Sequence, residues 1–304
     1  MRFGCVEEQA MTGPSPPVLL LDTFSLFFRA FYALPPMNTA AGEPTSALYG
    51  FSTLMLKLLR EQPGASLAFA LDAPAATFRH LTYEAYKAGR APAPDALRSQ
   101  FERLTSLLAA FGAPTFRVPG FEADDLLATL ARRLRSAERP TLVVSGDRDL
   151  LQLAHGSVRV YFVGRRAKDA VIYDERAVLE RFGVPPVRLP SYVALIGDTS
   201  DNLPGVPGIG PSTAAKLLSE RTDCKDLLSR IEAVSPARVR EALLTHRDQI
   251  LSTENLARLR DDVELPEGPL SAAPTTEGVL ALRKIFEELE FKSLGARLDA
   301  LFPS

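Results

Sequence analysis

The run VLLLD at residues 18–22 is a short apolar stretch that ends in an acidic residue, as a buried parallel β-strand does. The pattern returns in LAFALD at residues 67–72 and in TLVV at residues 141–144, which SGDRD follows. Helical periodicity fills the intervals, and it begins with a phenylalanine stripe after residue 23 that we expect to be core. Alternating strands and helices predict an α/β fold, with a mostly parallel sheet flanked by helices on both faces.

A second region begins at the prolines at 185 and 186 and is predicted to be helical. Its distinctive stretch is GDTSDNLPGVPGIGPSTAAK at residues 197–216, where a glycine- and proline-rich turn leads into a helix. The glycines open backbone N–H groups to a phosphate, and the helix N-terminus adds partial positive charge. Pro211 after Gly210 excludes a Walker loop, and Thr213 replaces the third glycine of a dinucleotide fingerprint. The stretch predicts a helix–hairpin–helix that holds a nucleic-acid backbone, or else an ordinary turn between helices.

The composition is that of an ordinary globular protein. The 304 residues are 46% apolar and 24% charged. Cys5 and Cys224 are far apart and the three histidines are scattered, which argues against zinc, histidine-metal and disulfide-framework classes and indicates a reducing compartment. Because we find no targeting signal and no early apolar run long enough to cross a bilayer, we expect a cytoplasmic, nucleoid-associated protein without membrane contact.

The chain is expected to have three parts. Residues 1–16 are predicted to be a disordered lead, in which Met11 is an alternative start. Residues 17–184 are predicted to form the α/β domain, and residues 185–304 the helical region. The division follows the change from strand-and-helix alternation to helical periodicity at the paired prolines.

Basic and aromatic residues alternate between about residue 75 and residue 95. The segment contains FRH at residues 78–80 and YKAGR at residues 86–90, and it ends in a proline-rich run. Aromatic rings stack on bases while Lys and Arg hold phosphates, so this composition predicts a mobile nucleic-acid contact. A solvated loop is the alternative of equal weight.

Carboxylates follow all three predicted strands, as Asp22, as Asp72, and as the pair Asp147 and Asp149. A further acidic group, EADD at residues 122–125, precedes an apolar helix. Singly, such residues are ordinary turn residues or helix caps. However, the C-terminal ends of parallel strands meet at one edge of a sheet, where ligands bind. Carboxylates without His or Cys select Mg²⁺ or Mn²⁺, and two such ions suit phosphodiester hydrolysis on a polynucleotide.

The net charge of −2 at pH 7 is a poor guide to the partner if the acids are concentrated in one place. Of the 37 acidic residues, nine are predicted to belong to the metal site, which leaves 28 against 35 basic residues elsewhere. The remaining surface is then positive enough to attract a polyanion.

Together these motifs resemble the 5′-nuclease family: the 5′–3′ exonuclease domain of bacterial DNA polymerase I, stand-alone bacterial and phage exonucleases, and flap endonucleases. The resemblance covers roughly residues 17–295. It rests on FEADD at 121–125, GDRDL at 146–150, YKAGR at 86–90 and the stretch 197–210. It implies a PIN-like nuclease core with a helical arch at about 75–95, followed by a helix–three-turn–helix. The implied activity is that of a stand-alone 5′–3′ exonuclease and 5′-flap endonuclease in DNA replication and repair.

The resemblance also implies roles for individual residues. The implied ligands of two Mg²⁺ or Mn²⁺ ions, with their close or water-mediated supporters, are Asp22, Asp72, Glu122, Asp124, Asp125, Asp147, Asp149, Asp198 and Asp201. The residues implied to engage the scissile phosphate are Lys87 and Arg90. The further implied DNA contacts, in which Tyr86 stacks, are Arg29, Arg79, Tyr86, Gly205, Gly208, Gly210, Ser212 and Lys216. In relatives the hairpin also holds a monovalent cation such as K⁺. The implied partner is DNA with a free 5′ end, as in a flap or a nicked or branched duplex, cut by a monomer that works beside a separate DNA polymerase.

Three other functions share part of the pattern. A ribonuclease that removes RNA primers uses the same site chemistry, and an inactive structure-specific DNA-binding protein uses the same fold. A haloacid-type phosphatase is the weakest alternative, because its nucleophile motif needs Asp-x-Asp and Phe24 occupies the third position of that motif.

Overall fold

Strand β1 (Val18–Asp22) lies at the centre of a sheet, and its two neighbours determine where the site forms. In the computed structural model, which describes residues 15–136, 139–164 and 169–303, the strand order is β3-β2-β1-β4-β5-β6. The other strands are β2 (Ser66–Ala70), β3 (Thr115–Phe116), β4 (Thr141–Ser145), β5 (Val158–Phe162) and β6 (Val171–Tyr173). Neighbouring strands are parallel except β5 and β6, which are antiparallel. The predicted α/β fold with a mostly parallel sheet is confirmed.

Helices cover both faces of the sheet and form the C-terminal region. The helices that precede β4 are α1 (Thr23–Ala33), α2 (Ser46–Glu61), α3 (Phe78–Thr82), α4 (Asp95–Arg98), α5 (Phe101–Ala110) and α6 (Ala123–Leu134). Those that follow β6 are α7 (Glu175–Phe182), α8 (Leu189–Ile196), α9 (Pro211–Leu218), α10 (Cys224–Ser229), α11 (Ala237–Thr245), α12 (Arg247–Ala257), α13 (Thr276–Glu288) and α14 (Lys292–Leu301). Short 3₁₀ helices lie at Asp149–Leu153, Pro186–Arg188 and Ile231–Ala233.

The core has two layers, because successive residues of each strand point to opposite faces of the sheet. Leu20 belongs to the layer that contains α6 and the helices from α8 to α12. Its neighbours Leu19 and Leu21 belong to the opposite layer, which contains α1, α2, α5, α13 and α14. The helical region therefore continues the packing of one sheet face.

Two features differ from the sequence expectations. Strand β3 is only two residues long, too short for an apolar run that would distinguish it from a loop. Helices α13 and α14 return from the helical region to pack on α5 and α2. Residues 276–301, which the sequence assigned to the helical region, thus complete the core of the α/β part. The predicted lead lies almost entirely outside the described residues, as does Met11.

Within the described residues, no helix is both long enough and apolar enough to cross a bilayer.

Candidate active site

The carboxylates of three adjacent strands meet at one edge of the sheet. Asp22 is the last residue of β1, while Asp72 and Asp147 each follow the end of their strand by two residues. Because β1 lies between β2 and β4, these three acids lie side by side. Ser145 joins two of them: its hydroxyl donates to Asp22 Oδ2 at 2.5 Å and accepts from the Asp147 N–H at 2.8 Å.

Helix α6 contributes two more acids from its N-terminus. Glu122 is the N-cap residue and forms a reciprocal capping box with Asp125, which satisfies two backbone donors of the first turn. Asp72 Oδ1 accepts from the Ala123 N–H at 2.8 Å, so the end of β2 is tied directly to the start of this helix. The capping geometry places Glu122 and Asp124 beside the strand carboxylates.

These acids line one wall of a cleft of about 740 Å³. Its carboxylates are Asp22, Asp72, Glu122, Asp124 and Asp147, and its basic residues are Arg29, Lys87 and Arg90. Aromatic residues also line the cleft, among them Phe24, Phe28, Tyr32 and Phe101. The phenylalanine stripe predicted to be core is therefore divided: Phe27 is fully buried, whereas Phe24 and Phe28 border the cleft. The helical spacing of the phenylalanines did not reveal that two of them border the cleft.

The pKa shifts show how crowded the negative charge is. Burial, with smaller contributions from Asp147 and Asp72, raises the pKa of Asp22 to about 7, although the Ser145 hydrogen bond opposes the rise. Burial and then the charge of Asp147 raise the pKa values of Asp124 and Asp149 well above the ordinary range. Burial also raises the pKa of Asp147. Such a group is stabilised by a bound cation, because the cation removes the repulsion that favours protonation.

The donor set suits a hard divalent cation, although the acids are not closed into a cage. In residues 15–136, 139–164 and 169–303, no group of three or more His, Cys, Asp and Glu is already arranged to hold a metal ion. All the cleft ligands are carboxylate oxygens, the kind that Mg²⁺ and Mn²⁺ prefer. The cleft thus offers ligands of the right chemistry in a loosely assembled form.

The segment that carries Lys87 and Arg90 lies directly on the acids. Lys87 Nζ is 2.7 Å from Glu122 Oε1 and 3.6 Å from Asp201 Oδ2, and Arg90 Nη2 is 2.7 Å from Asp201 Oδ1. Burial lowers the pKa of Lys87, but Glu122 and Asp201 outweigh it, so the net pKa is raised and the side chain stays charged. Lys87 has a φ of 56°, and its N–H donates to Asp201 O at 3.1 Å. The segment therefore packs against the cleft.

Arg79, predicted to contact phosphate, is instead buried against Asp125, whose predicted role as a metal supporter stays a prediction. Arg79 is 1% exposed, and its guanidinium donates to both oxygens of Asp125 at 2.7 and 2.8 Å and to Glu122 Oε2 at 3.1 Å. Asp125 also accepts from the Glu122 and Arg260 N–H groups and is fully buried. With both oxygens engaged and no solvent access, the pair is a buried structural anchor.

Tyr86 needs the same kind of correction, whereas the metal-supporting role of Asp201 stays a prediction. Tyr86, predicted to stack on DNA, is 3% exposed, and its hydroxyl lies 3.0 Å from Glu122 Oε2 and 2.8 Å from Asp201 Oδ2. Asp201, predicted to support a metal, is buried and engaged by Tyr86, Lys87 and Arg90. Its carboxylate holds the basic segment in place. The sequence could not reveal the pairs with Asp201, because their members are more than 100 residues apart.

Asp149 and Asp198, predicted to hold the second metal, lie in a smaller recess of about 90 Å³. Asp198 Oδ1 accepts from the Ser200 N–H and hydroxyl at 2.7 and 2.6 Å, which closes a tight turn. The charges of Asp147, Asp201 and Asp198 all raise the pKa of Asp149 after burial does so, which places it within their electrostatic reach. Asp149 therefore links the recess with the cleft.

The hairpin at residues 197–210 is held together by its backbone. Asp198 and Leu203 exchange both backbone hydrogen bonds, at 2.8 and 2.9 Å. A Cβ on Gly205 would lie 2.4 Å from the carbonyl carbon of Ile196, so this glycine permits the backbone packing, and its predicted phosphate contact stays a prediction. Gly210 has open space around its Cα and precedes α9.

The remaining predicted contacts are on the surface or beside the cleft. Gly208, with a φ of 83°, is exposed, and so are Ser212 and Lys216. Arg29 borders the cleft and donates to Gly146 O at 2.7 Å. A Cβ at position 146 would lie only 2.0 Å from the Arg29 Nε, so glycine there permits this approach.

Comparison with known proteins shows two family matches that together span most of the chain. Residues 17–183 match the 5′–3′ exonuclease N-terminal resolvase-like domain, and residues 184–277 match the 5′–3′ exonuclease C-terminal SAM fold. DNA polymerase I of Mycobacterium tuberculosis is 38% identical over 285 residues, which are 93% of this chain and 31% of that protein. The thermostable DNA polymerase I of Thermus thermophilus is 39% identical over 285 residues, which are 92% and 33%. The chain thus spans about a third of the length of these curated relatives.

Solved structures share the fold at low sequence identity. The flap endonuclease of bacteriophage T5, in a complex with DNA and metal ions, aligns with a TM-score of 0.62 at 19% identity, covering 94% of this chain and 99% of that one. The catalytic core of Rad2 in complex with a DNA substrate aligns with a TM-score of 0.64 at 16% identity, covering 95% and 93%. These likenesses confirm the fold. The two domain matches go further, and they establish that the chain belongs to the 5′–3′ exonuclease family, a family of nucleases.

Proposed function

We propose that this protein hydrolyses phosphodiester bonds of DNA at or near a free 5′ end, including 5′ flaps, with two Mg²⁺ or Mn²⁺ ions. The observation that carries the proposal is the convergence of five carboxylates with Lys87, Arg90 and Arg29 in one cleft at the C-terminal edge of the sheet. Negative groups that attract cations and positive groups that attract phosphate are both required where a phosphodiester is cut.

We assign the carboxylates to two ions. The first ion would be held by Asp22, Asp72, Glu122 and Asp124, which all line the cleft. The second would be held by Asp147, Asp149 and Asp198, with Asp124 shared. When bound, the ions supply an activated water and offset the charge that develops on the phosphate. The raised pKa values of Asp22, Asp124, Asp147 and Asp149 support cation binding, because buried, mutually repelling carboxylates are stabilised by a positive charge.

Lys87 and Arg90 have a second task once the substrate arrives. Ion pairs with Glu122 and Asp201 hold the side chains of Lys87 and Arg90 at the cleft. A phosphate that enters the cleft competes for their N–H donors. Lys87 is kept charged by its carboxylate neighbours, so it is available as a donor throughout the neutral pH range. We assign to both residues the positioning of the scissile phosphate.

The exposed part of the hairpin extends the DNA contact beyond the cleft. We propose that Gly208, Gly210, Ser212 and Lys216 hold the backbone of a duplex, with K⁺ at the turn. This surface offers backbone N–H groups at the start of α9, where Gly210 provides no side-chain cap. The proposal also includes a monomer that acts at the nucleoid and works beside a DNA polymerase.

The decisive experiment uses DNA labelled on a 5′ flap. We expect cleavage near the flap base with Mg²⁺ or Mn²⁺, none with EDTA, and none by an Asp147→Ala variant. Asp299→Ala is the matched control, because Asp299 is an exposed aspartate of α14 that pairs only with Arg283 among its described ion-pair partners. A wild-type protein that binds the flap without cutting it under either metal is an inactive DNA-binding protein, and the proposal is then wrong.

A second arm of the experiment separates DNA from RNA cleavage. An otherwise identical substrate carries RNA in place of DNA at its 5′ end. Faster cleavage of the RNA-primed form identifies a primer-removing ribonuclease that uses the same site. Faster cleavage of the all-DNA form supports the proposed function.

A further inference from the structure

Residues 256–260, which end α12 and follow it, lie between two acid-bearing parts of the active site. On one side they meet Arg79 and Asp125. Arg79 Nε donates to Leu256 O at 2.8 Å and its Nη2 to Arg258 O at 3.1 Å, while the Arg260 N–H donates to Asp125 Oδ1 at 2.9 Å. The segment is therefore bonded to the helix start that carries Glu122 and Asp124.

On the other side the segment is held by Gln152, in the 3₁₀ helix that begins at Asp149. The side-chain amide donates to Asp149 O at 2.8 Å and to Ala257 O at 3.2 Å. Its Oε1 accepts from the Leu259 N–H at 3.1 Å. One glutamine thus joins the segment to the turn that carries Asp147 and Asp149.

Earlier along its length, α12 contacts the hairpin. Gln249 Nε2 donates to Gly205 O at 3.1 Å, and the Thr253 hydroxyl lies 3.5 Å from Pro204 O. One helix thereby contacts the hairpin near its middle and the two acid-bearing turns at its end. We therefore expect that a shift of the hairpin along α12 also shifts residues 256–260.

We propose that residues 256–260 are a brace that fixes the spacing of the two acid-bearing turns, with Gln152 and Arg79 as positioning residues. Such a brace is needed because the carboxylates on the two turns carry like charges, which repel each other and push the turns apart. Groups that orient metal-binding carboxylates without touching the metal commonly affect metal affinity about 10- to 100-fold. The brace rests on the proposed function, and it assigns a role to side chains that do not line the cleft.

The test compares two glutamines with matched bonding. Gln100 also makes three hydrogen bonds to backbone groups, accepting from the Ala47 and Leu48 N–H groups and donating to Ala96 O, but it has no bond to an acid-bearing turn. The variants Gln152→Met and Gln100→Met keep side-chain volume. Mn²⁺ binding to the full chain without DNA is measured by electron paramagnetic resonance, beside thermal unfolding and flap-cleavage kinetics.

We expect Gln152→Met to raise the Mn²⁺ dissociation constant about tenfold and to lower kcat, with the KM for DNA within about twofold of wild type. Gln100→Met should lose thermal stability yet keep wild-type Mn²⁺ affinity and kcat. Unchanged Mn²⁺ binding in Gln152→Met, or equal weakening in both variants, would overturn the brace.

Hydrogen exchange of the wild-type protein provides a test that does not depend on a variant folding. Mn²⁺ should slow exchange of the Leu259 and Arg260 amides, whose acceptors are Gln152 and Asp125, and leave the Ala47 and Leu48 amides unchanged. No change at Leu259 and Arg260 counts against the brace. A wild-type protein that binds Mn²⁺ but cuts no flap refutes the proposed function instead, and the Mn²⁺ comparison still decides the brace.

Discussion

The cleft and the hairpin are both candidate DNA-binding regions, but the cleft is formed by side chains and the hairpin by backbone contacts. The cleft is made by side chains, and its charged groups are paired with one another, as Lys87 is with Glu122. The hairpin is made by backbone contacts, including the Asp198–Leu203 pair and the close approach of Gly205 to Gly197. A change of charge should therefore damage the cleft, whereas an added methyl group should damage the hairpin.

The largest expected effect is on catalysis. Asp147→Ala or Asp198→Ala should lower the rate of flap cleavage by roughly 10³-fold, since a lost metal contact removes several kcal/mol of transition-state stabilisation. For Asp147→Ala, DNA affinity measured by fluorescence anisotropy in EDTA should change little, because this residue lies outside the hairpin. Loss of binding parallel to loss of cleavage would show that the two regions are not separable.

Arg79→Met should affect stability as strongly as any change in the cleft. The substitution leaves Asp125 buried without its cation, and breaking such a pair costs about 3–5 kcal/mol in the free energy of unfolding. Arg98→Met is the control, because the Arg98–Asp95 pair is 58% and 91% exposed at its two side chains and should contribute less than about 1 kcal/mol. Urea denaturation of both variants measures the difference. Equal losses would contradict the assignment of Arg79 as a buried anchor.

The cleft should also give the metal-free protein an unusual pH dependence. An Asp whose pKa is raised to about 7 holds its proton in the folded state at pH values where the unfolded chain has released it. The folded state then binds more protons, so stability should fall by a few kcal/mol as pH rises from about 4 to about 7. Denaturation in EDTA across this range measures the slope, and Asp22→Asn should reduce it. A slope of the opposite sign would show that other groups dominate.

Two glycines of the hairpin should respond differently to the same methyl group. Gly205→Ala places a Cβ 2.4 Å from the Ile196 carbonyl carbon and should lower the free energy of unfolding by about 1–3 kcal/mol or more. Gly210→Ala meets no atom within 4 Å and should leave stability within about 0.5 kcal/mol. Thermal unfolding distinguishes the pair. A stable Gly205→Ala would refute the argument that backbone contact defines the hairpin.

The smallest expected effect is that of a single phosphate contact. Lys216→Ala should weaken duplex binding modestly and lower the slope of log affinity against log salt concentration by about one. Lys284→Ala is the control, because it removes an exposed lysine from α13, on the far side of the sheet core. Equal salt slopes for wild type and Lys216→Ala would exclude this lysine from the contact.

Much of the fold followed from the sequence because its signals are local. The short apolar runs ending in Asp22 and Asp72 predict the central strands, and Gly/Pro punctuation predicts the hairpin. The family match and the shared fold confirm that interpretation. Strand β3 escaped prediction because two residues carry no periodic signal.

The candidate site was harder to predict than the fold. A basic residue among aromatics has the same local appearance whether it faces DNA or a buried carboxylate, and Arg79 and Tyr86 proved to be of the second kind. The partners of Arg79 come from α6 and from residues 256–260, and only tertiary packing brings them together. Gln152 gave no signal at all, since its three bonds involve backbone groups of other segments as well as its own turn.

The brace at residues 256–260 has a consequence for the order in which the protein is made. A ribosome releases Asp22 early, but the segment that joins the acid-bearing turns leaves it only after the hairpin and α12 have emerged. Chains fold from the N-terminus during synthesis, and the sheet can form before this joint exists. A nascent chain should therefore bind metal ions weakly until residues 256–260 have left the ribosome.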